Sequence, residues 1–250
     1  MPRYFLEVSY KGTRYSGFQV QKNANSIQAE LEKAFKILQK DEVFMTGSSR
    51  TDTGVHALQN YLHFDFDGKI DPHFAYKMNA ILPDQIVVKQ LIPVETTAHC
   101  RFDAISREYK YFIYQHKNPF LEDRAWYYPY KINREKLQEA AGIIIEYKDF
   151  TSFSKRKSQV KTHICQILES RWEFKKSCLV YHVKANRFLR GMVRALVATM
   201  LLTGREKISL SEFRDIIESQ NAAQANFSAP GLALFLVSVN YTPGFFKEKT

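Results

Sequence analysis

The stretch VFMTGSSRTDTGVHALQNYLHFDF, Val43 to Phe66, decides how the first part of the chain is read. Val43 to Thr46 and Leu58 to Phe66 have the apolar, aromatic character of strands, and the polar run between them, Gly47 to Ala57, is long for a plain hairpin. Toward the N-terminus, Tyr4 to Tyr10 alternates as a strand does. Asn25, with Gln28 three residues on, resembles the start of a helix whose apolar face carries Ile27, Leu31, Ala34, Phe35 and Leu38. Toward the C-terminus, Asp71 as N-cap with Pro72 at the first helical position opens a second helix bearing Phe74, Met78, Ile81 and Leu82, and a strand follows around Ile86 to Leu91. The first part therefore reads β-α-β-β-α-β.

The remainder repeats that order. Strand Arg107 to Gln115 is followed by helix Asn133 to Ile145 and by strands Ile164 to Phe174 and Leu179 to Ala185. Helices Leu189 to Thr203 and Ser209 to Ser219 come next, the latter with the capping-box pattern Ser209 and Glu212, and a last strand spans Leu232 to Tyr241. The expected class is α+β: two ferredoxin-like, RRM-like halves, residues 1–104 and 105–250, whose mainly antiparallel sheet forms a central RNA-binding cleft. Asn118-Pro119, the aromatic stretch Trp126 to Tyr130 and the basic stretch Lys155-Arg156-Lys157 read as loops inserted in the second half.

The charge is distributed unevenly over this frame. The chain of 250 residues carries a formal net charge of +10. Residues 1–104 hold 12 Lys/Arg against 12 Asp/Glu, so the whole excess falls in residues 105–250, where the counts are 24 and 14. A basic half points to a polyanionic partner such as nucleic acid. Cys100, Cys165 and Cys178 form no C-x-x-C pair, which suits reduced thiols. The N-terminus has no signal-peptide core, and the most apolar segment, Phe188 to Thr203, is too short for a membrane span and contains Arg190 and Arg194. These features predict a cytoplasmic protein without a membrane segment.

Three groups of residues have chemical potential. In the loop Ser48 to His56, Asp52 is flanked by Arg50, Thr51, Thr53 and Gly54, and functional residues concentrate in loops held by a rigid sheet. A plain Asx-turn, with Gly54 supplying a positive φ, accounts for the same letters. Arg187, Arg190 and Arg194 fall three and four apart, one stripe on an apolar helix, which suits phosphate contact or a solvated face. Tyr109 and Tyr111 share one strand face, opposite Phe112 and Tyr114, and serve either the core or base stacking. His99-Cys100 and His163-Ile-Cys165 match no zinc-ligand spacing, so no metal is expected.

These segments taken together resemble the tRNA pseudouridine synthase A family over nearly the whole chain. The matching segments are Tyr10 to Gln19, Ser26 to Gln28 with Leu31-Glu32, Arg50 to Ala57, Asn79 to Pro83, His99 to Phe102, Arg107 to Tyr111, Asp149 to Phe153, Met192 to Arg194 and Pro230 to Leu232. The resemblance implies conversion of uridine to pseudouridine at tRNA positions 38, 39 and 40, in the anticodon stem-loop, without metal or other cofactor. It implies that Asp52 is the nucleophile, that Arg50 displaces the target base, that Tyr109 packs on the flipped uracil and that Arg194 pairs with Asp52. Arg190 joins them as a substrate-binding residue, and the working form is a homodimer with tRNA crossing both subunits. Ser49 stands where the family usually has Gly, and Thr53 where it often has Ala. The competing readings are a pseudouridine synthase of other RNA uridines and a non-catalytic RNA-binding module, which has no reason to place Asp52 beside Arg50.

Overall fold

Strand β1 (Arg3–Tyr10) lies antiparallel between β3 (His56–Asp65) and β4 (Ile86–Val94), with Leu6 opposite both Leu62 and Leu91. The computed structural model describes residues 1–155 and 160–246, so Arg156 and Lys157 of the expected basic loop lie outside the described residues. It divides into two compact units. One is Met1–Ile105 with the described residues from Leu236 onward, and the other is Ser106–Phe235.

In the first unit the alternation expected of β1 gives way to continuous burial from Phe5 to Val8, because both sheet faces are covered. On one face Phe64 meets Phe35 of helix α1 (Ile27–Gln39), ring centroids 5.2 Å apart, and Phe35 in turn meets Phe74 of helix α2 (Phe74–Ile81). On the other, Phe5 and Tyr61 pack against Tyr241, Phe245 and Phe246 from the chain's last described residues. Ser26, rather than Asn25, caps α1, its side chain accepting the Ala29 N–H. Asp71 stands outside α2. Its carboxylate takes the His73 N–H and its carbonyl the Phe74 N–H, so the helix begins at Phe74 and Pro72 precedes it.

The expected strand Val43 to Thr46 contracts to β2 (Thr46–Gly47), which pairs with His63 and Leu62. The reason is local. The Met45 N–H donates to the Glu32 carboxylate and its carbonyl accepts from the Gln28 amide, both on α1, so side chains satisfy backbone groups that a ladder would otherwise occupy. Strand β9 (Leu234–Asn240) lies beside β3, in the order β4-β1-β3-β9, with β2 also on β3.

In the second unit β5 (Ser106–Tyr114), β8 (Leu179–Ala185) and β7 (Ile167–Phe174) form an antiparallel sheet in the order β5-β8-β7. Its middle is aromatic: Tyr181 faces both Tyr111 and Trp172. Part of the stretch Trp126 to Tyr130, read above as a loop, is a short strand. β6 (Trp126–Tyr127) pairs parallel to Ile113 and Tyr114, and the Tyr128 N–H continues the contact to the Tyr114 carbonyl. Strand β7 begins at Ile167 rather than Ile164, since the Gln166 N–H is taken by the Asn186 side chain.

Helices α3 (Arg134–Ile145) and α5 (Leu210–Glu218) start where the capping residues predict. Asn133 accepts the Lys136 N–H, and Ser209 and Glu212 make both bonds of the capping box. Helix α4 (Met192–Gly204) is buried almost all round. It begins at Met192, after Gly191 with φ 75°, and not at Leu189. Arg187 and Arg190 therefore precede the helix, and the expected stripe of three arginines reduces to Arg194 alone on α4. The fold is α+β with a mainly antiparallel sheet, and no helix of the described residues is long and apolar enough to cross a membrane.

Candidate active site

The loop from Ser48 to His56 leaves β2 and enters β3, and it is clamped by the segment that follows β1. The Thr51 carbonyl accepts the Phe18 N–H at 3.0 Å, and the Gly54 N–H donates to the Tyr15 carbonyl at 3.4 Å. The Gly12 N–H donates to His56 Nδ1 at 3.2 Å, and a Cβ at Gly12 would overlap the Val55 carbonyl, so only glycine permits this approach. Within the loop the Val55 N–H closes a turn onto the Asp52 carbonyl, and Gly54 adopts φ 78°, the left-handed geometry expected of it. The segments Tyr10 to Gln19 and Arg50 to Ala57, distant in sequence, are thus one construction.

This clamp exposes some side chains and hides others. Ser48, Ser49, Thr51, Val55 and His56 are buried, Asp52 is half-buried and Arg50 is exposed. Asp52 is the single carboxylate of the loop. Ser49, the departure from the usual glycine, has a buried hydroxyl with no hydrogen-bond partner among the described residues.

The other expected site residues belong to the second unit. Tyr109 is half-buried on β5, its ring edge-to-face with Phe188 at 5.0 Å. Its neighbour in pattern, Tyr111, is fully buried, and its hydroxyl donates to the Pro230 carbonyl at 2.9 Å; burial raises its pKa, against the pull of Arg194. Tyr111 is therefore core, while Tyr109 keeps partial exposure. Arg194 is half-buried, and its Nε donates to the Ala229 carbonyl at 2.6 Å. Strand β5, helix α4 and the segment Ala229–Pro230 thus meet through Tyr111 and Arg194. Arg190 is exposed, and its carbonyl receives the Lys155 N–H.

A family profile described as tRNA pseudouridine synthase matches residues 7–103 and 147–242. The chain belongs to the tRNA pseudouridine synthase family. It is similar to the tRNA pseudouridine synthase A of Bacteroides fragilis, at 43% identity covering 98% of each chain. It is also similar to that of Bacteroides thetaiotaomicron, at 42% identity over 100% of this chain and 94% of the relative, and of Bacillus subtilis, at 37% over 94% and 97%. Membership places the chain among isomerases that act on tRNA uridine, and both matched blocks include loop and strand residues described above.

One cluster lies apart from the expected site residues. His63, His99 and Cys100 offer ligand atoms within 4.8 Å of one another. Spacing along the chain could not reveal it, because His63 comes from β3. Its hydrogen bonds read as a core network. His63 Nδ1 meets Cys100 Sγ at 3.1 Å, and Sγ donates to the Thr46 carbonyl. His99 Nδ1 accepts the N–H groups of Arg101 and Phe102, which puts its ring hydrogen on Nε2 and leaves no lone pair there for an ion. Burial, then His99 and Arg3, lower the His63 pKa to about 4. His163 and Cys165 are not part of the cluster, and burial pushes the Cys165 thiol up to about 11, against the pull of Arg187.

Proposed function

We propose that this protein isomerises uridine to pseudouridine in tRNA at positions 38, 39 and 40 of the anticodon stem-loop, with Asp52 as the catalytic carboxylate. The observation that carries this reading is a single half-buried carboxylate, Asp52, beside an exposed Arg50 in a loop clamped by buried hydrogen bonds. The reaction breaks the bond from C1′ to N1 and forms one from C1′ to C5; N1 gains a proton and C5 loses one, so no redox partner or co-substrate is consumed. One carboxylate is enough to act as nucleophile or base. A glycoside hydrolase needs two carboxyl groups and an admitted water, whereas here the detached uracil must be retained and water kept out.

A paired uridine in a stem must be flipped out, at a cost on the order of a few kcal/mol. Phosphate contacts from the basic second unit, with 22 Lys/Arg against 13 Asp/Glu in residues 106–235, are the source of that energy. Arg50 displaces the base, Tyr109 packs on the flipped uracil, Arg190 contacts substrate and Arg194 pairs with Asp52, since an ionised aspartate out of water requires a partner. Two ferredoxin-like halves present the RNA-binding surface, a reading supported in the first unit by β1 neighbouring both β3 and β4 and by β2 lying on β3. The working form is a homodimer in the cytoplasm, where reduced Cys100, Cys165 and Cys178 are at home.

The test is to incubate the protein, without metal or cofactor, with an unmodified tRNA transcript bearing uridines at 38, 39 and 40, and to map pseudouridine by chemical modification and primer extension. Product at those positions supports the assignment. Product only at other uridines would replace the stem-loop specificity, and tight binding without product would favour an RNA-binding module.

A further inference from the structure

We propose that Asn60 and Tyr10 are positioning residues for the reaction, forming with Ser48 and Thr51 a buried relay that fixes where Asp52 stands. The proposal rests on the reading of Asp52 as the reacting carboxylate. Asn60 projects from β3 beneath the loop and is fully buried. Its carboxamide uses all four hydrogen-bonding positions. Nδ2 donates to the Ser49 carbonyl at 3.0 Å and to the Tyr10 hydroxyl at 3.2 Å, while Oδ1 accepts from Ser48 Oγ at 2.9 Å and from the Tyr61 N–H at 3.0 Å. The opposite amide orientation would set an NH₂ group against the Tyr61 N–H, so only one orientation fits.

The contact then passes along the chain of groups. The Tyr10 hydroxyl, whose oxygen receives an Asn60 N–H, also shares a hydrogen bond with Thr51 Oγ1, 2.8 Å away. Thr51 is the residue before Asp52, and its carbonyl is already held by Phe18. Asn60 therefore grips the loop at Ser48 and Ser49, on one side of Arg50, and through Tyr10 at Thr51, on the other. A displacement of about 1 Å in a reacting group costs on the order of a hundredfold in rate, so a fully satisfied buried network under the loop bears on turnover as well as on folding. Asn60 looks out of place in the sequence, a carboxamide in the alternating set that continues with Leu62, Phe64 and Phe66, and this relay accounts for it.

The experiment compares Tyr10→Phe, Thr51→Val, Thr51→Ser and the double variant Tyr10→Phe/Thr51→Val with the parent protein. It measures the single-turnover rate with protein in excess over tRNA, tRNA affinity and melting temperature, with Asp52→Ala alongside. Both hydroxyl-deleting single variants are expected to slow turnover about tenfold with affinity within about twofold, and the double to be no slower than the worse single, since residues of one network are not additive. Thr51→Ser, which keeps the hydroxyl, restores most of the rate. Turnover at the parent rate in folded Tyr10→Phe, losses that multiply in the double variant, or equal losses in rate and affinity would each overturn the relay. An Asp52→Ala protein that still turns over would instead remove the reading of Asp52 on which the relay depends.

Discussion

Arg194 differs from an ordinary surface arginine in being half-buried on a helix that is otherwise core, with its Nε committed to the Ala229 carbonyl. If its remaining donors serve the reacting carboxylate, Arg194→Ala lowers the single-turnover rate far more than it weakens tRNA binding, whereas equal losses would make it a simple phosphate contact. His63 provides a second residue-scale prediction. Its pKa in the folded chain, about 4, lies below the ordinary 6.5, so the unfolded chain takes up the proton first as pH falls. Stability is intact above pH 6.5 and declines as pH drops toward 4, by on the order of 2 kcal/mol from this group. Chemical denaturation across that range should show a shallower decline for His63→Gln, and identical slopes would contradict the assignment. At this scale the place of Asp52 and Arg50, in a polar loop between two strands with Gly54 at a positive φ, was legible from the loop letters, while their proposed roles come from the family resemblance. Tyr10 and Asn60 were not legible, because a strand pattern records which positions are apolar and says nothing of what a buried hydroxyl or amide holds.

Local capping chemistry placed the starts of α3 and α5, while the caps read for α1 and α2 fell one or two residues early and ends set by tertiary partners were missed. Ser209 and Glu212 announce α5, and both bonds of the capping box are made. Ser209→Ala is expected to lower stability by about 1 kcal/mol in thermal or denaturant unfolding, with pseudouridine formation unchanged, because α5 carries none of the proposed site residues. By contrast, Val43 to Met45 has strand-forming residues yet makes no strand, the backbone N–H and carbonyl of Met45 being taken by Glu32 and Gln28 across space. The arginines at 187, 190 and 194 have helical spacing, but the helix begins only after Gly191. Spacing is evidence of a stripe only once the helix is known to run through every member. Trp126 and Tyr127 became a strand because β5 offered an edge that no pattern within the aromatic stretch announces.

Across the whole molecule, the charge asymmetry visible in the sequence falls on the second unit, and the clamped loop with its carboxylate on the first. If phosphates are bound mainly by the second unit, the logarithm of tRNA affinity falls linearly and steeply with the logarithm of salt, by at least about tenfold between 50 and 200 mM. A flat response would remove that assignment. The α+β class and the order of the longer elements were available from periodicity and capping residues, while the return of the last strand to the first unit was not, since it depends on pairing with β3. The central claim is that Asp52 performs the chemistry. Its most direct test is Asp52→Asn, which preserves size and removes the carboxylate, assayed under single-turnover conditions on tRNA with binding measured in parallel. The account predicts parent-like binding with no pseudouridine formed; product at an appreciable rate from this variant would contradict it.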